Sequence, residues 1–271
     1  MAPQNTIRAD ELLLARGLAG DAHEATALIL ADRVRTGADD SIVVDKPGMR
    51  LAPDASLSVK ASARFVSRGG EKLEGALEAF GIEVAGLRCI DLGASTGGFT
   101  DCLLQRGASS VVAVDVGYGQ LAHKLATDPR VTIHDRTNIR TADPAELGAP
   151  FDLVVADLSF IGLAQVADAV ARLVDDSGRC VLLLKPQFEA DRTHVDEGGI
   201  IRDRSVYAHV ITETVGALAE SDLITDGITL SPLRGAQGNT EFFLSCSRSA
   251  HPLADLSGHI VHLLATLRPH G

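Results

Sequence analysis

From about residue 87 onward, short apolar runs alternate with stretches of helical periodicity, a rhythm that predicts βαβ units around a parallel sheet. Strands are expected at LRCIDLG (87–93), VVAVDVG (111–117), VTIHDR (131–136), FDLVVADLS (151–159) and CVLLLKP (180–186), each with a charged residue at or near its end. A long helix follows over about 203–220, and two further strands near 226–232 and 241–248 are close enough in sequence to pair antiparallel. The first sixty residues have a different pattern. Two short amphipathic helices, at about 9–17 and 21–32, precede short strands around 33–36, 41–44 and 56–60, with Gly37, Pro47-Gly48 and Pro53 between them. That is a small α+β module. Residues 61–86 hold a linker and one helix, EKLEGALEAFGI, whose Leu73, Leu77, Ala79 and Phe80 mark an apolar face.

A length of 271 residues suits one large α/β domain plus an appendage, and 45% apolar with 23% charged residues is ordinary for a globular protein. The opening MAPQNTIRADELLLARG has neither a basic leader region nor a small-residue cleavage site, and apolar runs such as VLLL at 181–184 fall far short of the roughly 20 residues that span a bilayer. A cytoplasmic protein without membrane contact is expected. Cys89, Cys102, Cys180 and Cys246 form no C-x-x-C pair and have no histidine at ligand spacing, so they read as reduced core cysteines, with no metal site. The net charge of −11 weighs against a nucleic-acid partner, because Lys and Arg facing phosphates supply most of that affinity. One basic groove on an acidic protein would suffice.

Asp91-Leu92-Gly93-Ala94-Ser95-Thr96-Gly97-Gly98 closes the first strand of the sheet and opens a helix. Glycines there let the backbone turn tightly and approach a ligand. The spacing is not the G-x-G-x-x-G of NAD enzymes; D-x-G-x-x-x-G-G resembles motif I of the S-adenosylmethionine methyltransferases. Asp115, with Val116 beside it, stands about twenty residues later at a strand end, where a carboxylate can take both hydroxyls of a ribose. Asp135, after the third strand, is placed to accept from an adenine amino group. The plain alternatives are a ligand-free turn and solvated strand-end carboxylates.

Asp157 and Lys185 end successive strands, so both project over the carboxyl edge of the sheet beside that crevice. Glu241 begins the last strand, and an antiparallel direction brings it to the same edge. Lys72, in VSRGGEKL, reads from sequence alone as a surface lysine.

These segments, with RADELLLARGLA, VVAVDVGYGQLA, ADLSFI, LLLKPQFE and GNTEFF, carry a close resemblance over essentially the whole chain to the TlyA family. Its members are hemolysin-labelled ribosomal RNA 2′-O-methyltransferases. The resemblance implies an S4-like RNA-binding domain over 1–60, a linker over 61–68, and an FtsJ-like catalytic domain over 69–271. It implies an α/β fold with a Rossmann-like class I methyltransferase sheet, mostly parallel with one antiparallel strand. S-adenosylmethionine is the implied cofactor and ribosomal RNA or a ribosomal subunit the implied partner. The family's Lys-Asp-Lys-Glu tetrad falls on Lys72, Asp157, Lys185 and Glu241, with Lys185 implied to take the proton of the substrate hydroxyl. A free lysine, with a pKa of roughly 10.4, is a poor base near neutrality. A second cation favours the neutral amine and a carboxylate the ammonium, so Lys72 and Asp157 pull Lys185 in opposite directions.

The amino-terminal module departs from the family pattern. Ala19-Gly20-Asp21-Ala22-His23-Glu24 stands where basic residues usually follow R-G-L, and the first sixty residues carry seven Lys and Arg against nine Asp and Glu. Arg8, Arg16, Arg33 and Arg35 would have to share a face to clamp phosphate. Arg64, Phe65 and Arg68 of the linker keep basic and aromatic character, and Phe65 serves equally as interdomain packing. Two further readings stay open: a methyltransferase of a small-molecule hydroxyl or amine, and a membrane-active hemolysin, for which no amphipathic insertion segment is evident.

Overall fold

The computed structural model describes residues 6–30, 32–60, 64–196, 199–201, 203–235 and 237–267. They form two compact units, Met1–Ala63 and Arg64–Gly271.

In the first unit, β1 (Ile7–Arg8) and β4 (Arg50–Leu51) pair antiparallel, while β2 (Val34–Thr36) is flanked by β3 (Ile42–Val43) and β5 (Leu57–Val59). Helices α1 (Ala9–Ala15) and α2 (Ala22–Leu30) enclose a core of Ala9, Leu12, Leu13, Ala25, Leu28, Ile29 and Val34. The first helix stops two residues earlier than its pattern suggests, because Gly17 takes a φ of 66° and turns the chain away. The β1 and β4 strands, two residues each, are too short to leave a period-2 signature.

The second unit opens with α3 (Arg68–Phe80), ended by Gly81 in the left-handed conformation. Its buried face is Gly70, Leu73, Ala76 and Leu77, joined by Lys72, whereas Ala79 is exposed. There follow β6 (Arg88–Leu92), α4 (Gly98–Gln105), β7 (Ser110–Val114), α5 (His123–Ala126), β8 (Val131–His134), α6 (Pro144–Leu147), β9 (Phe151–Ala156), α7 (Ala167–Ala171), β10 (Val174–Leu184), α8 (Pro186–Glu189), α9 (Arg204–Glu220), β11 (Ile224–Leu230), β12 (Phe242–Ser247) and α10 (Leu256–Ala265).

The seven strands run in the order β11-β12-β10-β9-β6-β7-β8, with β12 antiparallel to both its neighbours. Core clusters lie on both faces, which is why the central strands read as continuous apolar runs rather than alternating ones. The fold class expected from sequence is the one observed. Most sheet strands end before their sequence expectation: Leu92, Val114, His134, Ala156 and Leu184 are the last ladder residues. The residue that follows each, Gly93 after the first and a charged residue after the other four, has left the ladder to turn at the solvated edge. β10 begins earlier than expected, since Asp175-Asp176-Ser177-Gly178 is absorbed as an irregularity in its pairing with β9.

Chain order changes direction at β6, which has β7 on one side and β9 on the other. Open α/β sheets bind ligands in the crevice outside the carboxyl ends of the strands at such a switch point.

Candidate active site

The turn after β6 is built on glycine. Gly93 has a φ of 83°, and a Cβ there would lie 2.5 Å from the Asp157 carbonyl oxygen; at Gly97, with a φ of 96°, it would lie 2.3 Å from Leu125. Only glycine fits such backbone at no steric cost. Ser95, between them, also takes a positive φ of 48°, and its N–H donates to Asp115 Oδ2 at 2.8 Å while Gly117 N–H donates to Oδ1 at 2.7 Å. Two backbone donors thus fix the carboxylate at the crevice mouth, each oxygen keeping acceptor capacity for a ligand hydroxyl.

Asp91 does not face the crevice. It is fully buried beneath the turn, and its Oδ2 accepts both the N–H and the hydroxyl of Thr100, at 2.9 and 2.7 Å. Burial, outweighing those hydrogen bonds, pushes its carboxyl up to about 7. Asp91 therefore ties the start of α4 to the end of β6 instead of lining a ligand site, a correction to the expectation for this residue.

Two chambers open on the strand ends. One, of 570 Å³, is lined by Asp115, Val116, Thr137, Asn138, Ile139 and Phe160, among others. The other, of 520 Å³, is lined by Ser67, Arg68, Lys72, Thr96, Lys185 and Arg234, with Gly98 at the start of α4. Gly93, Ser95, Asp157 and Ser159 line both, so the two form one cleft with a shared wall. Asp135 is absent from either lining; its carboxylate accepts from the Gly119 N–H at 2.8 Å. It braces the loop after Asp115, whereas Thr137 and Asn138 line the 570 Å³ chamber. No motif marked those two residues beyond their position after the strand.

The four tetrad residues meet as two ion pairs. Lys72 Nζ lies 2.5 Å from Glu241 Oε2, both side chains buried, and the partners are 169 positions apart in sequence. Lys185 Nζ lies 2.6 Å from Asp157 Oδ1 and 3.0 Å from Ser159 Oγ. The contact with Asp157 is a close charge pair without the alignment of a good hydrogen bond. Lys72 is thus not the surface residue its local sequence suggests. The register of β12 against β10, with Phe242 opposite Leu184, sets Glu241 beside the tip from which Lys185 projects.

The linker residues divide. Phe65 is 3% exposed and packs over Gly70, where a Cβ would strike its ring, so it belongs to the core and offers no face to a ligand. Arg64 pairs with Glu74. Arg68 reaches the 520 Å³ chamber and donates to the Arg234 carbonyl at 2.8 Å. In the first unit, Arg8 pairs with Asp10 at 2.6 Å, Arg16 donates to Pro53 O and Arg33 to Lys60 O, while Arg35 lies on β2. Three of those four arginines are engaged with their own unit. Sequence reasoning missed Arg234, Ser159 and Phe160; the last is 92% exposed at a φ of 67° on the chamber rim. The four cysteines are free thiols in the core, and Cys180 faces Cys246 across β10 and β12. Among the described residues no helix is long and apolar enough to cross a membrane.

A crevice of this kind, with a fixed acid at one end and lysine–carboxylate pairs at the other, is the ligand-binding cleft of a doubly wound α/β protein. The family model for FtsJ-like methyltransferases matches residues 65–248. The chain is 46% identical over 239 residues, 88% of each protein, to the 16S/23S rRNA (cytidine-2'-O)-methyltransferase TlyA of Mycobacterium tuberculosis. It is 35% identical over 237 residues to Hemolysin A of Brachyspira hyodysenteriae, covering 87% of this chain and 98% of that one. A solved structure from Streptococcus thermophilus, described as a candidate hemolysin, aligns with a TM-score of 0.73 at 35% identity over 97% of this chain and 96% of that one. The chain belongs to the FtsJ-like methyltransferase family, in its TlyA branch, and is a methyltransferase.

Proposed function

We propose that the protein transfers a methyl group from S-adenosylmethionine to a ribose 2′-hydroxyl of ribosomal RNA. The observation that carries this reading is the shared wall: Asp157, paired with Lys185, stands between a nucleoside-sized chamber and a cationic one.

The residues present fit the cofactor. Leu92, Val114, Ile139 and Leu158 give the 570 Å³ chamber an apolar lining for an adenine ring, and Asp115 is held where ribose hydroxyls can donate to it. The glycine at 93 leaves the passage between the chambers free of a side chain. Arg64 and Arg68 remain as RNA contacts in this reading, with Arg8, Arg16, Arg33 and Arg35 on the S4-like domain of residues 1–60 and Phe65 removed to the core.

When bound, the cofactor supplies a methyl group already activated on a sulfonium. The protein's part is orientation and proton removal. Lys185, as the neutral amine, accepts the proton of the substrate hydroxyl. Asp157 and Ser159 hold its nitrogen from two directions and leave the remaining one for that hydroxyl. The Lys72–Glu241 pair keeps the chamber floor rigid, and its internal compensation of charge keeps Glu241 from competing for Lys185.

A second reading, a small-molecule hydroxyl as acceptor, is favoured by the acidic first unit and its self-engaged arginines. Incubation with tritiated cofactor, ribosomal subunits and a small-molecule cell extract separates the two. Label is expected in ribosomal RNA; label confined to the small-molecule fraction overturns the RNA reading.

A further inference from the structure

The 520 Å³ chamber carries more positive charge than its carboxylates balance. Lys72 is matched by Glu241 and Lys185 by Asp157. Arg68 and Arg234 line the same chamber, and among the described residues neither has a carboxylate within ion-pair distance. Arg68 spends one donor on the Arg234 carbonyl at 2.8 Å, and Arg234 one on the Gly238 carbonyl at 3.3 Å. A guanidinium has five N–H donors in a fixed fork, so each arginine keeps most of its fork free for an anion.

Their placement is built into the fold. Arg68 is the first residue of α3, one turn ahead of Lys72. Arg234 precedes Gly235, where a Cβ would fall 2.6 Å from Glu241 Oε1, so a close backbone approach pins this loop against the buried pair. The loop is closed on itself by Gly235 N–H to Asn239 O at 2.9 Å.

Resting on the ribose reading above, we propose that Arg68 and Arg234 form a phosphodiester subsite that grips the backbone next to the target ribose. Only the C2′–C3′ bond and the O3′ ester oxygen separate a 2′-oxygen from the phosphorus on its 3′ side. Wherever the 2′-oxygen meets Lys185, a phosphate must enter the same chamber, and its charge requires the two unbalanced arginines. An isolated hydroxyl on a neutral small molecule would leave that charge unmet. The subsite also explains how a protein of net charge −11, with a first unit that is itself acidic, can hold RNA at its catalytic edge.

The same anionic chemistry has a second source, the carboxylate of the cofactor's amino-acid end, and the test separates the two. Wild type, Arg234→Ala, Arg234→Lys and Arg68→Ala/Arg234→Ala are assayed with tritiated S-adenosylmethionine and unmodified ribosomal subunits across a salt series, and cofactor affinity is measured by calorimetry. Arg234→Ala is expected to raise KM for subunits about tenfold with kcat within about twofold. The slope of log(kcat/KM) against log salt should shrink by about 0.7 for one lost contact to single-stranded RNA, and by about twice that in the double variant. Arg234→Lys should keep the slope, and cofactor affinity should hold throughout. An unchanged slope and KM, or a loss confined to cofactor affinity, overturns the subsite. A wild type that labels no ribosomal RNA refutes the substrate reading instead, before any variant is compared.

Discussion

Removing the carboxylate of Glu241 is expected to destabilise the protein severely, and the buried pair it forms with Lys72 sets the magnitude. The Lys72 and Glu241 side chains are 11% and 3% exposed, with charges 2.5 Å apart. At an effective dielectric of about 20 their attraction is about 6–7 kcal/mol, comparable to the several kcal/mol per ion that desolvation costs. The pair as a whole therefore contributes close to nothing. Glu241→Gln leaves a buried ammonium without its counter-charge and should cost about 3–5 kcal/mol, as should Lys72→Met by exposing the converse defect. The double variant Lys72→Met/Glu241→Gln should recover most of that loss while remaining inactive. Urea titrations of the four proteins measure the coupling directly. A Glu241→Gln cost below about 1 kcal/mol, or a double variant as unstable as the sum of the singles, would refute the assignment of a buried, mutually dependent pair.

Lys185→Ala should keep cofactor affinity while kcat falls about 10²–10⁴-fold, the span of a lost general base; single-turnover methylation checks it. Asp115→Ala should weaken cofactor binding by about 10–100-fold, the worth of charge-assisted hydrogen bonds, in a calorimetric titration that leaves the melting transition in place. Gly93→Ala places a methyl against the Asp157 carbonyl and strains a φ of 83°, so kcat should drop with little change in substrate KM, and unchanged kinetics would contradict the close approach. Asp91 has a folded pKa raised from 3.8 to about 7, so between those values the folded state holds a proton that the unfolded chain has lost. Stability should therefore fall as pH rises through that window, by at most about 1.4 kcal/mol per pH unit, and Asp91→Asn should flatten this part of the curve. Denaturation at pH 4.5 and 7 with identical differences for both proteins would exclude that role.

The sheet was legible in the sequence because both of its faces are covered: buried strands announce themselves as apolar runs, and their tips as the charged residue that ends each run. The strand-tip positions of Asp157 and Lys185 followed from that pattern. Lys72 did not, since its burial depends on a carboxylate 169 residues away that no local window contains. Asp91 and Asp135 were read as ligand contacts because an acid at a strand tip is the same letter whether it faces outward or turns back. Thr100 draws one beneath the glycine turn and the Gly119 N–H draws the other into a loop. Phe65 read equally as an RNA contact and as packing, and only the missing side chain at Gly70 reveals the slot it fills. Arg234 had no motif to mark it, because its place in the chamber comes from a loop that meets the start of α3, 166 positions away.

The position of β12 governs when this enzyme comes into being. The final strand of the sheet is not appended at an edge but threaded between β10 and β11, both of which precede it in the chain. A growing polypeptide that has emerged as far as β11 holds two strands whose common partner has yet to be made, and a lysine at residue 72 that lacks the counter-charge its burial requires. The cleft has no floor until Glu241, at the head of β12, meets Lys72. The cleft is therefore completed by the last strand of the sheet to be made, and its buried charge pair joins residues from the beginning and the end of the catalytic unit.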